Sequence, residues 1–77
     1  MNIKRRRKIL QVICALEEQL EQIESVCEEE QEAYDNLPEG IQGSDRGDTM
    51  YEIIDGMESA YSDLKDIISN LQEIVER

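Results

Sequence analysis

The chain has no histidine, tryptophan or phenylalanine, a single proline, and only three aromatic residues: Tyr34, Tyr51 and Tyr61. Without histidine, neither a Ser/His/Asp nor a Cys/His catalytic arrangement can be assembled. Cys14 and Cys27 fall short of the four ligands that a structural zinc site uses, and they read as two reduced thiols. With so few rings, any core must be built from Ile, Leu, Val and Met. No apolar run approaches the ~20 residues that a membrane span needs. Residues 9–16 are broken by Gln11 and followed at once by Glu17 and Glu18, a poor secretory core. A cytoplasmic location is expected. Gly40, Gly43 and Gly47 follow no strand and form no phosphate-cradling loop. Arg46-Gly47-Asp48 spells an adhesion tripeptide, but it stands at a helix start and is read as coincidence.

Cations are scarce after the first eight residues. Lys4, Arg5, Arg6, Arg7 and Lys8 stand together, whereas residues 9–77 hold three cations against 19 acids, a net −16. With no aromatics interleaved and an acidic body behind them, the five cations make a weak phosphate-binding unit. They are the only part of the chain suited to nucleic acid. Seventy-seven residues form at most one domain, near the lower size limit for independent folding. Repulsion within a chain of net charge −11 deepens the shortfall, so self-association is expected.

The apolar residues repeat with a helical period. Ile9, Ile13, Leu16, Leu20, Ile23, Cys27, Tyr34 and Leu37 follow a 4-3 spacing that only Glu30 interrupts. This spacing predicts one helix over about residues 3–36, ended by Pro38. Met50, Ile54, Met57, Tyr61, Leu64, Ile68, Leu71 and Val75 keep the same spacing and predict a second helix over about 45–76. Ser44 or Asp45 is the expected N-cap, with Asp45 and Asp48 favourable at the positive end of the helix dipole. Residues 37–44 form the connector. Leu37 and Ile41 are expected to tuck under the end of the bundle, and Gly47 to allow close approach to the first helix. Gly56 faces outward without an evident reason. The expected fold is all-α: a single domain over residues 1–77, folded as a long antiparallel helical hairpin.

A further apolar column flanks each seam: Val12, Val26 and Ala33 on the first helix, and Ile53, Ala60, Ile67 and Ile74 on the second. One hairpin cannot cover so broad a stripe. Pairing of two hairpins into a homodimeric four-helix bundle is the simplest solution. Val12, Val26, Ile53, Ala60, Ile67 and Ile74 are the expected dimer interface.

Glu29-x-x-Glu32 and Glu52-x-x-Asp55 resemble the paired E-x-x-E and E-x-x-D motifs of MazG-like nucleoside triphosphate pyrophosphohydrolases. That resemblance implies a Mg²⁺ site held by carboxylates of neighbouring helices. The register opposes it. Written as heptads, the four acids fall at c, f, f and b, positions that face solvent. No metal, cofactor or enzymatic activity is therefore expected. The acids can instead imitate the phosphate spacing of a duplex and occupy the basic groove of another protein.

The stretch Ala33-Tyr34-Asp35-Asn36-Leu37-Pro38-Glu39-Gly40-Ile41-Gln42-Gly43-Ser44-Asp45-Arg46-Gly47 resembles the centre of small acidic helical-hairpin proteins from phages and prophages of Gram-positive bacteria. The likeness spans roughly residues 28–76 and leaves out the basic start and Cys14. It implies a phage-associated hairpin working inside a bacterial host cell, and brings no activity with it. The expected function is non-enzymatic. It is the binding of a protein partner with a basic surface, as a nucleic-acid mimic or an inhibitor of host machinery or defence. The alternatives are a MazG-like metal-dependent pyrophosphohydrolase fragment and a purely structural assembly bundle. The expected partner-binding residues are Glu28, Glu32, Asn36, Glu39, Gln42, Asp48, Glu52 and Asp55. Glu28, Glu32, Asp48, Glu52 and Asp55 belong to a broader acidic surface that also includes Glu17, Glu21, Glu24, Asp45 and Glu58, whereas Asn36, Glu39 and Gln42 form an alternative epitope in the connector.

Overall fold

A computed structural model describes all of residues 1–77 and contains three helices: α1 (Ile3–Asp35), α2 (Glu39–Gln42) and α3 (Asp45–Glu76). The helix ends follow local chemistry. Asn2 caps α1, its side-chain oxygen accepting the Arg5 backbone N–H at 2.8 Å. At the other end Leu37 precedes Pro38, which disfavours helical geometry there, and the Asn36 and Leu37 N–H groups close the last turn on Glu32 and Tyr34 carbonyls. Ser44 holds the N-cap position of α3 in extended geometry, but its hydroxyl donates to the Ile41 carbonyl and caps nothing. Asp45 and Asp48 lie in the first turn of α3, where the helix dipole favours them.

The connector contains the one-turn helix α2, which the hydrophobic pattern did not reveal. This turn changes the roles of two residues, Ile41 and Gly47. Leu37 is half-buried as expected, whereas Ile41 remains 36% exposed and does not tuck under the bundle. Gly47 is buried, but its close neighbour is α2 and not α1. A Cβ there would lie 2.6 Å from the Ile41 carbonyl oxygen and 2.5 Å from the Gln42 carbonyl carbon. The Gly47 φ angle is not positive, so space alone demands glycine.

Three contacts mark the antiparallel register of α1 on α3. Arg6 Nη2 donates to the Arg77 carbonyl at 3.4 Å, the Tyr61 hydroxyl donates to Glu24 at 3.2 Å, and the Tyr34 and Tyr51 rings lie 6.3 Å apart. The seam residues then stack in layers. Ile13, Ile68 and Val75 form the buried cluster, with Ile9, Leu16, Leu20, Leu64 and Leu71 packed around it. That cluster occupies the half of the hairpin nearest the chain termini. In the connector half only Ile54 is a buried apolar residue, and the half-buried Glu30 occupies a seam position. The rod measures 59 × 15 × 12 Å, with a radius of gyration of 17.5 Å. A compact chain of this length would have about 11–12 Å.

Candidate functional site: two faces of the hairpin

In an antiparallel pair, like flanking columns meet: the g columns along one edge of the seam, the e columns along the other. Val12, Gln19, Val26 and Ala33 of α1 are at g, as are Ile53, Ala60, Ile67 and Ile74 of α3, so one face collects nearly all the surplus apolar side chains. Val12 is 49% exposed, Ile53 49% and Ile67 50%; Val26 and Ile74 are likewise open. A groove of about 280 Å³, lined by Ile23 and Val26 from α1 and Met57 and Ala60 from α3, joins the two columns. The six expected dimer-interface residues therefore share one face and are open to solvent in the single hairpin.

The opposite face is acidic. Here Glu24 and Glu28 of α1 and Glu58 of α3 surround Cys27 and Tyr61 in a hollow of about 230 Å³. Burial pushes the Cys27 thiol above its ordinary value, and the Glu58, Glu24 and Glu28 carboxylates push in the same direction. The Tyr61 phenol is raised by burial and then by Glu24, which accepts its hydroxyl proton. Lys65 Nζ stands 5.6 Å from the Tyr61 ring centre, within cation–π range. A thiol held in its protonated form is a poor nucleophile. Chemically this hollow is suited to attract a cation-bearing group. An adjoining hollow brings Asp55 and Glu58 beside Gln31 and Tyr51.

The expected partner-binding residues do not form one patch. Glu28 and Asp55 join the acidic face. Glu32 and Glu52 are exposed at f positions, which turn away from the partner helix on opposite sides of the rod. Asn36 is the exposed C-cap of α1, Glu39 lies in the first turn of α2, and Asp48 in that of α3. Gln42 is turned inward. Its amide nitrogen donates to the Tyr34 carbonyl at 3.0 Å and the Leu37 carbonyl at 3.2 Å, with Asp35 at 3.5 Å. It gives the Leu37 carbonyl a donor and adds a second one to the Tyr34 carbonyl, which already accepts the Leu37 N–H, so its amide is not presented to a partner. Tyr61, absent from the expected site, lines the acidic hollow because the seam places it beside the e column.

Glu29, Glu32, Glu52 and Asp55 are all exposed, and no group of three or more His, Cys, Asp or Glu side chains is placed to hold a metal ion. No helix is long and apolar enough to cross a membrane. Compared with known protein families, curated proteins and solved structures, the chain matches none.

Proposed function

We propose that this protein is a non-enzymatic phage or prophage interaction module. In this reading it forms a homodimeric four-helix bundle in the bacterial cytoplasm and binds a protein with a basic surface. The observation that carries the proposal is the convergence of Glu24, Glu28 and Glu58, from two helices, on one hollow. Holding like charges together opposes folding unless solvent or a cationic partner offsets the repulsion. A nucleic-acid-handling factor or a host-defence effector would present such cations in its groove, and the acidic rod would compete with duplex phosphates for them.

A partner captured from host lysate and identified by mass spectrometry supplies the test. Its association should weaken steeply between about 50 and 200 mM salt and be displaced by duplex DNA. The variant Glu24→Gln/Glu28→Gln/Glu58→Gln, confined to the hollow, should bind at least tenfold more weakly while melting no lower than wild type. Undiminished binding would remove the electrostatic mechanism and move the site to the connector, where Asn36 and Glu39 are exposed. The dispersal of Glu29, Glu32, Glu52 and Asp55 favours this reading over a pyrophosphohydrolase. Mg²⁺-dependent hydrolysis of a nucleoside triphosphate would restore the enzymatic alternative.

A further inference from the structure

We infer that two copies pack apolar face on apolar face in opposite directions, so that the basic first turn of each lies at the acidic connector end of the other. This rests on the dimer proposed above and adds its orientation, together with a role for the basic turn.

The occupant of the face follows first from area. The hairpin exposes 5965 Å². A compact 8.9 kDa chain exposes about 4,800 Å². The surplus of about 1,150 Å² exceeds the ~800 Å² that each partner contributes to a standard interface. A second copy brings an apolar face of the same length and needs no other component.

Direction follows from charge. The g column of α1 starts at Arg5, with Lys8 beside it at c. Together with Met1 and Ile9, these two line a groove at the terminal end of the apolar face. The first turn of α1 contains no acid, so the positive end of its dipole adds to the five cations. Arg6 finds an internal acceptor at the C-terminus of α3, whereas Arg5 and Lys8 are exposed. At the other end of the face, Glu29 and Glu32 flank Ala33 on α1, the helix that α1 of an opposed copy covers. Parallel packing would set two clusters of five cations side by side and the two acidic ends together. Opposed packing sets each cluster against carboxylates.

Shape agrees with this direction. Reversal about the middle of the face lays α1 on α1 and α3 on α3. Ile74 then meets Ile53, and Ile67 meets the stretch from Gly56 to Ala60 of the second copy. Nothing lies within 4 Å of a Cβ built at Gly56, so the place is open to receive a side chain.

The test uses the full chain with Cys14→Ser, Cys27→Ala and Gly40→Cys, spin-labelled at position 40, and pulsed dipolar spectroscopy. Opposed packing about the centre of the face places the labels about 50 Å apart, at 1.5 Å per residue. A separation under about 25 Å means parallel packing and overturns the orientation while leaving the dimer intact. A folded monomer in sedimentation equilibrium at micromolar concentration overturns the dimer itself. Arg5→Gln/Lys8→Gln gives an independent sign. Neutralisation should weaken self-association about tenfold at low salt if the turn faces carboxylates. Parallel packing predicts tighter association instead, because mutual repulsion is removed. Unchanged or tighter association with native helicity therefore overturns the proposal.

Discussion

Replacing Gly47 by alanine opposes two effects of known size. Alanine in a helix interior is favoured over glycine by about 1 kcal/mol, and by propensity alone the variant should be more stable. Against this, the added Cβ would enter the backbone carbonyl groups of Ile41 and Gln42, 2.6 Å from the Ile41 oxygen. Overpacking of a tight contact costs about 1–3 kcal/mol. The upper end applies here, because the obstacle is backbone at the junction of α2 and α3, with no flexible side chain to move aside. The net expectation is a loss of about 2 kcal/mol, or roughly 8–16 °C in melting temperature for a chain of this size. Circular dichroism at 222 nm, read at equal chain concentration, measures it directly. Gly40→Ala is the control. Nothing lies within 4 Å of its Cβ, so only the propensity gain operates and the melting temperature should rise slightly. If Gly47→Ala melts at or above wild type, α2 does not close on the start of α3.

Gln42→Ala should lower stability by about 1 kcal/mol by removing the donor of the Leu37 carbonyl and the second donor of the Tyr34 carbonyl, seen as a lower melting temperature without loss of binding. Ile67→Glu should turn the proposed dimer into a poorly folded monomer, read by sedimentation equilibrium, since a charge would lie in the middle of the apolar face. Cys27 and Tyr61 both hold their protons more tightly in the folded chain than their ordinary values of 9.0 and 10.0 imply. The folded state then binds more protons than the unfolded state over that range. Their contribution is complete below pH 9.0 and is lost as pH rises through the raised values. Thermal melts from pH 8 upward should show this decline, and Cys27→Ala/Tyr61→Phe should flatten it.

Much of this was legible in the sequence because it depends on short-range rules. The 4-3 spacing and Pro38 placed the end of the first helix within a residue of Asp35, and Asp45 and Asp48 marked the start of the last. The common location of the surplus columns was also implicit. An antiparallel turn must bring g against g, so Val26 and Ala60 had to share an edge. What escaped lies in the connector. The four residues of α2 are too few to show a period, so the turn that reorients Gln42 and exposes Ile41 leaves no hydrophobic signature. Gly47 was correctly singled out on the seam but assigned the wrong neighbour, since register locates a residue on a helix without saying what the preceding loop does. The acidic hollow lay between these cases. Glu24 and Glu58 were readable as e positions, yet Tyr61 belonged to the seam, and its hydroxyl reaches the surface only because the ring is long enough to lean outward.

The uneven filling of the rod has a dynamic consequence. Its buried cluster lies in the terminal half, and at the far end α2 and Gln42 clasp the connector. Between them the seam carries the half-buried Ile23, Cys27, Glu30, Met57 and Tyr61, and no fully buried residue until Ile54. Local opening follows the density of buried contacts. The amide hydrogens of this middle stretch should therefore exchange with solvent faster than those on either side, although the helices run through it without a break. The acidic hollow sits at that weak point. In the single hairpin, a cationic group arriving at Glu24, Glu28 and Glu58 therefore meets the stretch of the seam with the fewest buried side chains.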